Sequence, residues 1–204
     1  MQSLLRARLV VEAVVMVREP DGERSTRRSG IRQSFDRLMY SLYRRIGVAD
    51  RSLLVCCDTQ RLSGHELHFD EKLAVSHLPL EDIYQLSDCN DEFDSEAFQS
   101  LDPQRFRCFV IRVDEQIAAY AWIGLGNIPA EHNCNGHPWT GLPIALDAKT
   151  AYLFAAFVAD QYRGQRLYQF LMSRVSSLLL SEGILQVALT TDIKNDSAIR
   201  AVQR

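Results

Sequence analysis

The clearest pattern in the chain is an apolar run, a helical repeat and an alternating segment that follow one another near the C-terminal end. Residues Ala151–Ala159 are all apolar or aromatic, which is typical of a strand buried on both faces of a sheet. From residue 167, apolar side chains recur every three or four positions, which predicts an amphipathic helix that ends at Gly183. Apolar and more polar residues then alternate from Leu185 to Thr190, as in a strand. This order predicts two parallel strands joined by a crossover helix.

Shorter signals predict the remaining elements. Apolar segments on both sides of Asp114 and Glu115 predict a β-hairpin of residues 107–113 and 116–125. We also expect strands at 9–17 and 52–57, helices at 34–46, 79–86 and 94–101, and a long loop, rich in Gly, Pro and Asn, at 126–149. The expected fold class is α/β, with a mixed central sheet flanked by helices.

Composition narrows the class of protein. With 204 residues, of which 47% are hydrophobic and 24% charged, the chain has ordinary globular content. The net charge of −3 gives no argument for nucleic acid, and no apolar run approaches the roughly 20 residues that span a bilayer. The five cysteines do not resemble a disulfide framework, which favours a cytoplasmic protein. Cys56, Cys57, His65 and His68 fit no established zinc spacing, so no metal site is predicted.

The turn before the long helix is the part of the chain with the most chemical interest. Backbone N–H groups at the start of a helix lack intrahelical partners, and the helix dipole favours an anion there. Gly164 allows a phosphate to approach the backbone closely, and Arg163 adds a positive charge nearby. A plain crossover turn is the alternative interpretation of the same residues.

These residues resemble the GNAT N-acetyltransferase superfamily. The turn Gln161–Leu167, with the sequence QYRGQRL after an apolar strand, is similar to the turn that cradles the pyrophosphate of acetyl-coenzyme A (acetyl-CoA) in that family. Asn195, after the next strand, matches the family's Asn. Arg166 stands where the family has a small residue, and Val202 stands where it often has a Tyr that acts as general acid.

The resemblance implies a fold of the acyltransferase type and a site for acetyl-CoA as co-substrate. Residues 51–204 would form the acetyltransferase domain without its usual final hairpin, after an N-terminal strand-and-helix extension at 1–50. Phe157 and Val158 would offer backbone groups to the pantetheine arm, and Asn195 would contact the arm from the other side. The residues implied at the pyrophosphate are Gln161, Tyr162, Arg163, Gly164, Gln165, Arg166 and Leu167.

The implied reaction is direct transfer of an acetyl group to an amine, carried by a small molecule or a peptide. An acceptor amine with a pKa of about 10 must lose a proton before it attacks, so Glu131 and His132 in the long loop are candidate bases. Tyr168 is a candidate general acid, although a partly buried aromatic is the ordinary role of such a residue. His132, Cys134 and His137 also allow a metal site, and a solvent-exposed loop is an equal alternative.

Two other classes remain open at this point. Arg166 and Val202 allow a non-catalytic module that binds acyl-CoA, and the crossover unit alone allows a nucleotide-binding or scaffold domain. The early end of the chain also predicts that the last strand lacks a partner. It would be covered by the N-terminal extension or would pair with a second copy in a homodimer.

Overall fold

The computed structural model describes residues 14–16, 52–64, 73–133, 141–192 and 195. The strands in these ranges are β1 (Val14–Met16), β2 (Ser52–Asp58), β3 (Val75–Leu78), β4 (Phe106–Val113), β5 (Gln116–Leu125), β6 (Asn127–Ile128), β7 (Ile144–Ala145), β8 (Thr150–Val158) and β9 (Gln186–Asp192). The α-helices are α1 (Thr59–Ser63), α2 (Ser95–Gln99) and α3 (Leu167–Ser181). Three segments form 3₁₀ helices: Leu80–Asp88, Ala130–His132 and Asp160–Tyr162.

Seven strands form one mixed sheet in the order β1-β2-β9-β8-β5-β4-β3, while β6 and β7 pair separately. The central pair β8 and β9 is parallel, which confirms the crossover predicted from the sequence. β5 pairs antiparallel with β8 on one side and with β4 on the other. The β4–β5 hairpin is also confirmed, and its turn residues Asp114 and Glu115 have positive φ values of 48° and 68°. Two residues with positive φ are what a tight hairpin turn requires.

Each face of the sheet is covered by its own hydrophobic cluster. On one face, α3 packs Leu171, Val175 and Leu179 against inward residues of β4, β5, β8 and β9. On the other face, the 3₁₀ helix Leu80–Asp88 and α2 cover a cluster that contains Trp122 and Phe154. Side chains alternate between the two clusters along each central strand, because successive residues of a strand point to opposite faces.

Some predicted elements differ from the observed ones. The segment 79–86, expected as a short helix, forms a 3₁₀ helix because its backbone bonds close over three residues, as in Asp82 N to Pro79 O at 3.0 Å. The loop 126–149 is not structureless, since β6, a 3₁₀ turn and β7 lie within it. The predicted helix at 34–46 and most of the strand at 9–17 lie outside the described residues. No helix in the described ranges is long and apolar enough to cross a bilayer.

The prediction of an exposed edge on the last strand is wrong. β9 lies between β8 and β2, so both of its edges pair within the chain. The antiparallel ladder with β2 runs from Ser52 opposite Asp192 to Asp58 opposite Gln186. The homodimer inferred from that exposed edge therefore loses its structural basis. β1, from the predicted N-terminal extension, joins the same sheet through β2, and the boundary at residue 50 stays a prediction.

Candidate active site

A gap opens between the two central parallel strands. Their ladder pairs Thr150–Leu153 with Gln186–Leu189, yet β8 continues to Val158 and β9 to Asp192. The register between β8 and β5 also shifts at this level, and Ala155 has a φ of 46°. An extra residue of this kind bends a strand and turns it away from its partner. The second half of β8 therefore diverges from β9. Ala155, at the point of divergence, is exposed.

The backbone of Val158 faces this gap. The N–H of Ala159 donates to the carbonyl of Ala118 on β5 at 2.9 Å. Since neighbouring residues of a strand direct their peptide groups to opposite sides, the N–H and C=O of Val158 point away from β5 and towards β9. The carbonyl accepts a hydrogen bond from Nε of Arg163 at 3.2 Å, which is consistent with that direction.

The turn that follows β8 leaves the start of α3 open. No side chain caps this helix, and its first intrahelical bond runs from Phe170 N to Arg166 O at 3.1 Å. The N–H groups of the preceding first-turn residues therefore point out of the helix end. Gly164 has a φ of 80°, and a Cβ added there would meet no atom within 4 Å. The turn thus borders open space and is lined by backbone donors, which suits an anion.

Side chains of the turn brace it from the outside. Arg163 forms an ion pair with Asp160 at 2.8 Å, and its guanidinium lies 5.9 Å from the centre of the Phe157 ring. Nε2 of Gln165 donates to the carbonyl of Gln161 at 3.2 Å. These contacts hold the turn against the end of β8.

Arg166, the residue that departs from the family pattern, has a left-handed backbone with φ 61° and ψ 17°. This conformation is unfavourable for any residue with a Cβ, and a positive charge also interacts poorly with the start of a helix. We therefore expect Arg166→Gly to raise the free energy of unfolding by about 1 kcal/mol in urea denaturation. Arg174→Gly, in the exposed interior of α3, is the control and should lower it by about 1 kcal/mol. Equal losses in both variants would contradict this account.

A pocket of about 320 Å³ lies at the other end of the gap. It is lined by Ala97, Phe98, Glu131, His132, Asn133, Tyr152, Leu153, Phe154, Ala155 and Thr190. These residues come from α2, the segment that follows β6, and the two central strands where they separate. The volume is at the lower end of the range for small-molecule sites in proteins.

One wall of the pocket is aromatic. The rings of Phe98 and Phe154 are almost parallel, at an interplanar angle of 10° and a centroid distance of 6.1 Å. The imidazole of His132 lies 5.3 Å from Phe98 and 5.2 Å from Phe154. Trp122 supports the wall from the core, with its ring 4.9 Å from that of Phe98.

A polar cluster of Asn133, Tyr152 and Thr190 also lines the pocket. Oδ1 of Asn133 accepts from the Tyr152 hydroxyl at 2.8 Å and from the Thr190 hydroxyl at 2.6 Å, and the two hydroxyl oxygens are 2.5 Å apart. Nδ2 of Asn133 donates to the carbonyl of Leu142 at 2.8 Å. Since Tyr152 lies on β8 and Thr190 on β9, the cluster ties the two strands together at the point where their ladder ends.

The structure brings two of the three predicted catalytic residues into this pocket. Glu131 and His132 both line it, and burial lowers the pKa of His132 from its usual value. Tyr168 does not line it: this residue packs against the cluster on the α3 face of the sheet, where burial raises the pKa of its hydroxyl. The idea that Tyr168 acts as general acid is therefore not supported, because the sheet separates it from the aromatic wall.

The remaining predicted residues are only partly described. Asn195 is exposed just after β9, and its N–H donates to the carbonyl of Asp192 at 2.9 Å. Cys134, His137 and Val202 lie outside the described residues. Within the described ranges, no group of three or more His, Cys, Asp or Glu side chains is arranged to hold a metal ion.

Sequence reasoning missed Phe98, Asn133, Tyr152, Phe154 and Thr190. Tyr152 and Phe154 carry a signal, because they are two positions apart in a strand and must therefore share one face. Thr190 comes close to Tyr152 and Phe154 only because β8 pairs in parallel with β9. Phe98 reaches them only because α2 packs on this face of the sheet. No local pattern reports those two relationships.

Comparison with known proteins identifies the family of the chain. The model of the acetyltransferase (GNAT) family matches residues 73–204, which is well over half of the chain. No curated protein matches the chain.

Two solved structures share its fold. The ribosomal-protein-S18-alanine N-acetyltransferase from Escherichia coli has a TM-score of 0.50 and 18% identity, and the match covers 64% of this chain and 74% of that one. A conserved protein of unknown function from Staphylococcus epidermidis has a TM-score of 0.51 and 10% identity, with 84% and 73% covered. At these identities the likeness concerns the fold, whereas the family match covers the turn and both central strands. The chain therefore belongs to the acetyltransferase (GNAT) family.

Proposed function

We propose that this acetyltransferase transfers the acetyl group of acetyl-CoA directly to an amine, without a covalent enzyme intermediate. Family membership supports acyl transfer in general. The observation that carries the finer proposal is the gap between β8 and β9. It opens beside the uncapped start of α3 and leads to a pocket that contains a candidate base. One opening therefore joins a site for phosphate to a site for an acceptor.

The residues around the gap fit the coenzyme. The open space at Gly164 and the backbone donors at the start of α3 suit the pyrophosphate, and the exposed side chain of Arg166 is placed to reach a phosphate oxygen. The edge of β8 at Val158 suits the amide groups of the pantetheine arm, whereas the same alternation directs the peptide groups of Phe157 towards β5. Asn195, just after β9, is the candidate contact from the other side of the arm. Acetyl-CoA supplies an acyl group activated as a thioester. The N–H of Val158 is a donor for the oxygen on which charge develops during transfer.

His132 is the group best suited to take the proton of the acceptor. An alkyl amine reaches the enzyme as an ammonium ion, because its pKa is about 10. Burial lowers the pKa of His132, so the imidazole is neutral at neutral pH and able to accept a proton. The adjacent carboxylate of Glu131 favours the arrival of a cation.

The polar cluster fixes the position of the backbone next to His132. Asn133 follows His132 in the chain and is held on both sides, by Leu142 through its amide and by Tyr152 and Thr190 through its oxygen. A base that is fixed at both the backbone and the neighbouring side chain loses little entropy when the acceptor binds. We therefore assign Tyr152 a positioning role.

Calorimetric titration of acetyl-CoA into the wild-type protein and Gly164→Glu tests the coenzyme site. The variant places a carboxylate in the space proposed for phosphate, so we expect saturable one-to-one binding to be lost. Gly183→Glu is a matched control, since Gly183 also has a positive φ, at 84°, and open space at its Cβ. It lies at the opposite end of α3, so this variant carries a similar backbone strain but should retain binding.

The outcomes separate the alternatives. Loss of binding in Gly164→Glu alone supports the coenzyme site, and release of free thiol with any amine acceptor then establishes catalysis. Binding to wild type without turnover of any amine would indicate a non-catalytic acyl-CoA module. An absence of binding to the wild-type protein, or equal binding in both variants, would contradict the proposal.

A further inference from the structure

We infer that the acceptor is a small primary amine carried on an aromatic ring, of the arylalkylamine type, and that its ring packs against the aromatic wall of the pocket. This inference rests on the proposed acetyl transfer and names the class of substrate for the same site. It is argued from the size of the pocket, the chemistry of its walls and the charge around it.

Size limits the acceptor to a small molecule. The pocket has a volume of about 320 Å³, close to the smallest of the pockets that bind small ligands. Among its lining residues, Tyr152 and Phe154 on β8 are buried, at 1% and 8% exposed. A single ring with a short amine-bearing arm matches this space better than an oligosaccharide or a folded peptide segment.

The aromatic wall selects for a flat, apolar group. Phe98 and Phe154 present nearly parallel rings, and His132 lies against both of them. An additional ring packed in an offset or edge-to-face arrangement gains binding free energy from each such pair beyond the burial of its area. An aliphatic group of the same size gains only the free energy of burying its apolar surface.

The polar atoms of the pocket argue against a sugar acceptor. The oxygens of Asn133, Tyr152 and Thr190 already hydrogen-bond one another at 2.5–2.8 Å. A sugar would place several hydroxyl groups against the aromatic wall, and each buried hydroxyl left without a hydrogen-bond partner weakens binding. Beyond this cluster, the lining residues that the structure describes add the polar side chains of Glu131 and His132 only, which suits one amine better than a ring of hydroxyls.

Charge favours a cationic acceptor without a carboxylate. Among the residues that the structure describes, Glu131 lines the pocket and no Lys or Arg does. The 3₁₀ helix Leu80–Asp88 and α2 belong to a segment, residues 79–104, without Lys, Arg or His but with eight acids: Glu81, Asp82, Asp88, Asp91, Glu92, Asp94, Glu96 and Asp102. An ammonium group is attracted by this field and by the faces of aromatic rings, whereas an amino acid brings a carboxylate that is repelled.

A matched panel of amines tests the inference through the rate of thiol release from acetyl-CoA. We expect kcat/KM for 2-phenylethylamine to exceed that for 2-cyclohexylethylamine by about threefold or more, because the two differ in aromaticity at nearly constant size. The value should exceed those for glucosamine and phenylalanine by about 100-fold and 10-fold, respectively. Preferred turnover of glucosamine, or equal turnover of all four compounds, would overturn the inference while leaving acetyl transfer intact.

Two variants test whether Phe98 of the aromatic wall causes the preference for an aromatic amine. Phe98→Leu should raise KM for 2-phenylethylamine by about 3- to 10-fold and remove its advantage over 2-cyclohexylethylamine, with affinity for acetyl-CoA unchanged. Tyr84→Leu, at an aromatic side chain that is 58% exposed and outside the pocket lining, is the control and should change neither value.

Direct binding keeps the inference testable if acetyl transfer itself fails. Saturation-transfer NMR with 2-phenylethylamine and glucosamine reports on the pocket without coenzyme. A signal for 2-phenylethylamine that is weakened in Phe98→Leu and retained in Tyr84→Leu supports the aromatic acceptor site. A stronger signal for glucosamine, or a 2-phenylethylamine signal that Phe98→Leu leaves unchanged, overturns it.

Discussion

Replacement of His132 by Gln is expected to lower kcat/KM for acetyl transfer by about 100- to 10,000-fold, the usual contribution of a positioned general base. Affinity for acetyl-CoA should not change, because His132 lies in the acceptor pocket and not at the turn before α3. Steady-state kinetics with a saturating amine and calorimetry with acetyl-CoA measure the two effects separately.

The dependence of kcat/KM on pH provides a second test of the role of His132. Burial lowers the pKa of His132 below its ordinary value of about 6.5. The imidazole is therefore neutral and active above that lowered pKa, and kcat/KM should fall as the pH decreases through it. The His132→Gln variant should lack this decrease of kcat/KM at low pH. His77→Gln, on the edge strand β3, is the control and should keep both the rate and its decrease at low pH. If His132→Gln stays active and Glu131→Gln loses this decrease instead, the base that accepts the acceptor's proton is Glu131.

Replacement of Tyr152 by Phe should have the second large effect. It removes one hydroxyl from a partly buried cluster and leaves Asn133 and Thr190 with one partner fewer, so the free energy of unfolding should fall by about 1 kcal/mol. It should also lower kcat by about tenfold with little change in acetyl-CoA affinity, since Asn133, which fixes the backbone next to His132, loses one of its hydrogen-bond partners. Urea denaturation and steady-state kinetics measure these two changes.

A double-mutant cycle shows whether Tyr152 acts through Thr190. We expect the effects of Tyr152→Phe and Thr190→Val to be non-additive by about 0.5–3 kcal/mol, because the two hydroxyls contact each other and the same amide oxygen. Tyr84→Phe at an exposed site should change neither stability nor rate. Strictly additive effects, with kcat unchanged in Tyr152→Phe, would show that the cluster is structural only.

Elements with strong local patterns were predictable from the sequence. The continuous apolar run of β8, the three-and-four spacing of α3 and the alternation in β9 each match one period of regular structure, and two apolar segments around a turn marked the β4–β5 hairpin. The turn before α3 was recognisable because Gly164 and the start of the helix are neighbours in the chain. These features depend on contacts between residues that are close in sequence.

Features that depend on distant contacts were not predictable in the same way. The bulge at Ala155 has no signal in its sequence, because alanine normally avoids a positive φ and is forced into it by the pairing of β8 with β5. The proposed acceptor pocket joins α2, the segment 131–133, β8 and β9, and its aromatic wall exists only once these elements pack. Sequence reasoning therefore found the candidate base but not the rings and hydroxyls around it.

The position of β2 beside β9 has a consequence for how the protein is made. Ser52 pairs with Asp192 and Asp58 with Gln186, so the partners are 140 and 128 positions apart in the chain. At a synthesis rate of about 5–20 residues per second, β2 leaves the ribosome on the order of ten seconds before its partner exists. During that interval, its edge towards β9 is open to wrong partners, and contacts of such high sequence separation are also slow to form. Completion of this ladder is thus the step of biogenesis at which assistance from a chaperone would matter most.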